Sequence, residues 1–250
     1  MTNNNMYFIA NWKMYGNTKD IEKTRPIIRL SKSNIYKKAK IIYCPPYTLL
    51  NDFCIKTKKT RISIGAQNCH QNFDFGPFTG SINSKLIKST GAQYIIIGHS
   101  ENRNHGDKDL DINKKIKSAL KENLKIIFCI GENLKEKKKN ITYSVLNRQL
   151  KNGLKGVNKL ENIIIAYEPI WSIGTGLIPK DSELRKNINN INKIIKSLKK
   201  YNKMKIIYGG SVNPKNIKNL SKIGEIDGFR IGGASINPKK FIDIIKKSIN

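Results

Sequence analysis

Acidic residues are scarce. Only 18 Asp and Glu face 47 Lys and Arg, which leaves a formal charge of +29 on 250 residues. Such a balance suggests nucleic acid or an anionic surface as partner, because basic patches are the electrostatic footprint of that binding. Yet the lysines are spread over every predicted helix, and Asn and Ile are abundant beside them. Lys, Asn and Ile share A/T-rich codons, so genomic base bias accounts for the excess. Non-specific attraction to polyanions at low salt is expected; a specific nucleic-acid partner is not.

Cysteine and histidine are also sparse. Cys44, Cys54, Cys69 and Cys129 include no CxxC pair, and no two histidines stand at metal-ligand spacing. A structural zinc is therefore not expected, and the thiols are expected to be reduced. Long apolar runs are missing too. Tyr94-Ile95-Ile96-Ile97 is strand-sized, far below the roughly 18 residues of a membrane span. Met1 to Asn5 is short and polar with no long apolar run behind it, unlike a secretory signal. A cytoplasmic protein with no membrane partner is the expectation. No linker or low-complexity stretch divides the chain, although Lys135 to Lys139 is a charge run expected to stay solvated. One domain over residues 1–250 follows.

What recurs is a short apolar run rich in Ile, Tyr and Phe. It appears at Tyr7–Ala10, Ile41–Tyr43, Ile62–Ala66, Tyr94–Gly98, Ile126–Ile130, Ile163–Tyr167, Ile206–Tyr208 and Gly228–Ile231. Most of these runs are continuously apolar, as strands buried on both faces should be. Between them lie helical spacings such as Ile112, Ile116 and Leu120, or Ile188, Ile191, Ile194, Ile195 and Leu198. Helix starts are marked at Pro179-Lys180-Asp181-Ser182-Glu183, at Pro214 and at Pro238. Strand–helix alternation implies parallel strands with right-handed crossovers. Eight repeats favour an α/β fold closed into a (β/α)8 barrel over an open sheet.

In such a barrel the chemistry sits where strands end, and there the sequence changes character. The runs end in Asn11-Trp12-Lys13, Gln67-Asn68, Gly98-His99-Ser100-Glu101, Gly131-Glu132, Glu168, Gly209-Gly210-Ser211 and Gly232-Gly233-Ala234-Ser235. Either glycine turn alone is an ordinary turn. Their joint position after the last two strands points to a phosphorylated ligand held by backbone N–H groups. Glu168 closes its strand, Pro169 bars a helix from starting there, and Gly174-Thr175-Gly176 supplies bendable backbone. A histidine facing a carboxylate suits proton transfer beside a carbonyl, with Lys13 and Asn11 placed to stabilise an oxyanion.

The strand-end motifs, with Tyr167-Glu168-Pro169-Ile170-Trp171-Ser172-Ile173-Gly174-Thr175-Gly176, Tyr208-Gly209-Gly210-Ser211-Val212 and Gly228-Phe229-Arg230-Ile231-Gly232-Gly233-Ala234-Ser235, resemble the triosephosphate isomerase family in order along almost the whole chain. The resemblance implies a TIM barrel that interconverts dihydroxyacetone phosphate and D-glyceraldehyde 3-phosphate without cofactor or metal. Glu168 would move the proton, and a neutral His99 would polarise the carbonyl. Lys13 and Asn11 would stabilise the enediolate and bind substrate. Ser211, with the backbone of Gly174, Gly232 and Gly233, would hold the phosphate under a lid of residues 169 to 176. Ser100, Glu101 and Cys129 would be supporting residues. A homodimer is implied, with a loop from about Gln67 to Gly80 carrying Thr79 to the partner's site.

The chain also departs from the family. Ser81 and Asn102 stand where the family usually has a Glu and an Arg that pair across the dimer interface, so a more readily dissociating dimer is expected. Arg230 stands where the family commonly has Leu, an apolar clamp on the catalytic Glu. A cation beside Glu168 would weaken it as a base; the expectation is instead that Arg230 extends outward and leaves only methylenes at the clamp. Two other readings share part of this pattern. Another phosphosugar barrel enzyme would carry the glycine loops without the lid sequence and His99 together. A catalytically silent anion- or nucleic-acid-binding barrel would fit the charge and Arg230.

Overall fold

Runs apolar at every position need a fold that buries both faces of a strand, and the chain supplies one. The computed structural model describes residues 5–199 and 204–249, so only Asn5 of the polar amino-terminal stretch lies within it. Eight strands form: β1 (Met6–Asn11), β2 (Ala39–Cys44), β3 (Ser63–Ala66), β4 (Tyr94–Ile97), β5 (Lys125–Ile130), β6 (Ile163–Tyr167), β7 (Lys205–Tyr208) and β8 (Gly228–Ile231). They lie in sequence order as a closed parallel barrel, with β8 returning to β1. Every expected strand falls within two residues of its observed bounds.

Alternation along each strand divides the core in two. On β5, Ile127 and Cys129 join Ile9, Ile42, Ile96, Ile164, Ala166 and Ile207 in one buried cluster. Ile126, Phe128 and Ile130 join the other, which includes Ile112, Ile116, Leu146 and Leu150 of the flanking helices. The first cluster fills the barrel; the second seals it beneath the helices. On β8, Phe229 and Ile231 belong to the outer cluster, so Arg230 between them faces the barrel interior.

The helical spacings behave as expected. Ile112, Ile116 and Leu120 are buried on the helix Asp109–Lys121, and Ile188, Ile191, Ile194 and Ile195 on Asp181–Lys199. Pro238 opens its helix directly. At Pro214 a turn over 214–216 leads into the short helix Ile217–Leu220. The Asn213 side chain accepts from the backbone N–H groups of Lys215 (2.8 Å) and Asn216 (3.2 Å), and its carbonyl accepts from Ile217 at 3.1 Å, the contacts of a residue that caps a helical turn. Among the described residues no helix is long and apolar enough to cross a membrane.

Candidate active site

Strand alternation carries Glu168 to the inside of the barrel mouth. Ile164 and Ala166 face inward on β6, and Glu168 continues the series with its N–H donated to the Ile130 carbonyl at 2.8 Å. Its side chain is 2 % exposed. Gly131 makes this approach possible: a β-carbon there would stand 1.8 Å from the Glu168 carbonyl oxygen. Gln149 fixes Gly131 from the other side, accepting from its N–H at 2.8 Å and donating to its carbonyl at 3.1 Å.

His99 follows β4 through Gly98, whose φ of +77° turns the chain inward. The imidazole then caps the short helix Ser100–Asn104, its Nδ1 accepting the Glu101 backbone N–H at 3.2 Å. The proton of the neutral ring therefore sits on Nε2, which is buried without a partner among the described residues. Burial is the main reason that His99 titrates low, at about 4. Glu168 works against burial, Arg230 with it, Glu101 against and Lys13 with it. The ring is accordingly neutral at physiological pH, a donor waiting for an acceptor. Ser100 is buried beside it.

Lys13 leaves β1 with φ +54°, a left-handed conformation that a non-glycine residue adopts only where it is held. Three contacts hold it. Its N–H reaches the Asn11 side chain at 3.0 Å, its carbonyl accepts from Gln67 at 2.8 Å, and its ammonium meets Glu101 at 2.6 Å. Glu101 is half-exposed, and its partial burial opposes ionisation; the hydrogen bond from Lys13 and the nearby His99 nevertheless keep its carboxyl below the usual range. A β-carbon on Gly232 would lie 3.5 Å from Cε of Lys13, so the lysine stem runs against the second glycine turn. Gly233–Ser235 forms one 3-10 turn after β8, while Gly209 to Ser211 follow β7 beside it.

A buried carboxylate, a neutral imidazole with its Nε2–H free, a strained lysine and two glycine turns thus share one end of the barrel. The family model described as triosephosphate isomerase matches residues 6–248. The chain belongs to the triosephosphate isomerase family. It is 41 % identical over 244 residues to the triosephosphate isomerase of Dictyoglomus thermophilum, covering 95 % of this chain and 97 % of that protein. It is 37 % identical over 246 residues to that of Endomicrobium trichonymphae, covering 96 % and 97 %. The crystal structure of triosephosphate isomerase from Bartonella henselae superposes with a TM-score of 0.89 at 32 % identity, covering 98 % of this chain and 99 % of that one. By family this is an aldose–ketose isomerase acting on triose phosphate, a step of glycolysis.

One residue of this isomerase is not where the sequence led us to expect it. Arg230 does not extend outward. It is 1 % exposed inside the barrel, its Nε 2.7 Å from Oε1 of Glu168 and its Nη2 donating to the Gly209 carbonyl at 2.7 Å. The reason is topological: an inward position on β8 with sealed helices outside leaves a long stem no path to water. Cys129 lies against the same carboxylate, and burial first, then the Glu168 charge, push its thiol well above the usual range. It is an inert wall of the site.

Other residues of the site were not singled out from sequence. Glu132 is fully buried and braces the segment that follows Glu168, accepting from Trp171 Nε1 at 2.9 Å and from Tyr167 Oη at 3.2 Å. Burial raises its carboxyl even though these donors oppose the shift. The only signal in the sequence was its place after Gly131 at a strand end. Arg103 braces the His99 turn, with Nε donating to the Gly98 carbonyl at 2.8 Å and Nη1 paired to Asp109 at 2.7 Å.

The segment 169–176, expected to be a lid, is partly tied down. Gly174 (φ +73°) and Gly176 (φ +79°) are exposed, and a β-carbon on Gly174 would touch nothing within 4 Å. The buried Ser172 hydroxyl knots the hinge: it donates to the Leu177 carbonyl, shares a 3.0 Å hydrogen bond with Tyr208 Oη and accepts the Ser211 N–H at 3.3 Å. Ser172→Ala should free the tip and cost roughly 1–2 kcal/mol for the stranded Tyr208 and Ser211 groups. Faster amide hydrogen exchange at residues 173–177 is the expected result; unchanged exchange would show that the knot does not restrain the lid.

Thr79 and Ser81 are exposed on the 67–80 loop and its end. Among the described residues no group of three or more His, Cys, Asp or Glu is placed to hold a metal ion.

Proposed function

We propose that the interconversion of dihydroxyacetone phosphate and D-glyceraldehyde 3-phosphate runs here through an enediolate, with Glu168 as the base that carries the proton between the two carbons. The observation that carries this reading is the convergence of Glu168 with a neutral His99 whose buried Nε2–H lacks a partner. That N–H donates to the substrate oxygens, while the Lys13 ammonium and the Asn11 amide stabilise the enediolate as charge develops. Ser211 and the backbone of Gly232 and Gly233 hold the phosphate. The lid then brings Gly174 onto it and excludes water, which protects the intermediate from losing phosphate. Ser100, Glu101 and Cys129 support these groups.

A coupled assay with glyceraldehyde 3-phosphate tests the reading. Turnover by wild type and a marked drop in Glu168→Asp are expected. A folded wild-type protein without isomerase activity, but with salt-dependent nucleic-acid binding, would favour the silent barrel instead.

The same reading makes the chain one cytoplasmic domain that works as a homodimer, in gluconeogenesis as well as glycolysis. Support for the dimer is a set of exposed apolar side chains: Met14 and Tyr15 beside the site, with Phe75 and Phe78 on the 67–80 loop. That loop is built for presentation. The Asn83 side chain donates to the Phe73 and Asp74 carbonyls at 3.1 Å, and Lys85 pairs with Asp74 at 2.5 Å. With Ser81 and Asn102 in place of a charged pair, the dimer should release monomer at nanomolar concentration in sedimentation; a dimer intact there would contradict this.

A further inference from the structure

Burying a guanidinium in a barrel lined by Ile is costly unless its donors and charge find partners. Arg230 has two. Nη2 is anchored by a 2.7 Å hydrogen bond to the Gly209 carbonyl, and Nε lies 2.7 Å from Oε1 of Glu168. The second contact is close in distance but not aligned as a hydrogen bond, and among the described residues neither Nε nor Oε1 has a hydrogen-bond partner elsewhere. Attraction between charges therefore holds the carboxylate in place.

We infer that Arg230 is a positioning residue that fixes the resting place of Glu168 and restrains it as a base. The inference rests on Glu168 being the proton carrier. Glu168 begins the reaction as an anion. As the substrate C–H bond breaks, an O–H bond forms on Glu168 and the electron pair passes into the enediolate. The ion pair is strongest before the proton arrives and is lost with the carboxylate charge. It stabilises the starting state more than the transition state, which slows the step. The anchor on Gly209 keeps the guanidinium from following the charge to the substrate oxygens, because Gly209 opens the turn that grips the phosphate.

Arg230→Leu is expected to raise kcat about tenfold with KM within about twofold, the signature of an interaction lost on the way to the transition state rather than on binding. Arg230→Met keeps a long apolar stem and should do the same. Arg230→Lys keeps the charge without the planar fork and should stay near wild type. With substrate deuterated at the transferred position, the isotope effect on kcat should fall in the Leu and Met variants as proton transfer ceases to limit. A purely structural residue would move stability and leave that isotope effect alone. An unchanged or lower kcat in folded Leu and Met variants overturns the inference. So does failure of both to fold beside an unchanged Lys variant, which would make Arg230 structural. An inactive wild type would instead refute the role of Glu168.

Discussion

Glu168→Gln should lose activity and stability together. Removing the proposed base should cost about 10²–10⁴-fold in kcat. In this chain the substitution also strands a guanidinium: Arg230 and Glu168 pair with side chains only 2 % exposed, so solvent cannot take over the lost partner. Breaking a buried ion pair from one side costs roughly 3–5 kcal/mol, and the Gln amide oxygen can still face Nε, so the low end is expected. Adding Arg230→Leu to Glu168→Gln should then return stability without returning activity, since the double variant has neither a buried charge nor a base. Urea denaturation and the coupled assay read the two effects separately, and the four proteins form a double-mutant cycle. A Glu168→Gln protein as stable as wild type would show that the ion pair contributes nothing to the fold.

Gly131→Ala is expected to damage the site from behind. The new methyl would meet the Glu168 carbonyl oxygen at 1.8 Å, its carbon at 2.6 Å and its Cα at 3.3 Å, all of them backbone. Neither side can retreat. Gln149 holds Gly131 by both its N–H and its carbonyl, and the Glu168 N–H is bonded to Ile130. The strand ends must part, carrying the carboxylate with them. Overpacking of this kind costs about 1–3 kcal/mol, and a displacement near 1 Å is enough to lose about 10²-fold in rate. Gly224→Ala is the control: a β-carbon there meets nothing within 4 Å, and stability should stay within about 0.5 kcal/mol. Full activity in Gly131→Ala would mean that the junction of β5 and β6 yields without moving Glu168.

The sequence carried the architecture because barrel strands are short, buried on both faces and regularly spaced. A run such as Ile163 to Ala166 has few alternatives to a central strand. Glu168, His99 and Lys13 were legible for the same reason: a titratable residue directly after such a run stands out. Glu132 was less legible, since its work is to hold Trp171 and Tyr167, and partners so distant in the chain leave no local pattern. The Pro214 start, by contrast, was legible for a local reason: Asn213 ahead of it caps the turn that leads into Ile217–Leu220.

By itself, then, the sequence determined an eight-stranded parallel barrel and the acid, imidazole and lysine that gather at one end of it. Only the tertiary structure decided where Arg230 goes. A long cation at a strand position can snorkel to water or turn inward, and local sequence favours neither. Closure of β8 against β1, with Phe229 and Ile231 committed to the outer core, left the interior as the sole direction. There the Gly209 carbonyl and the Glu168 carboxylate were the partners within reach.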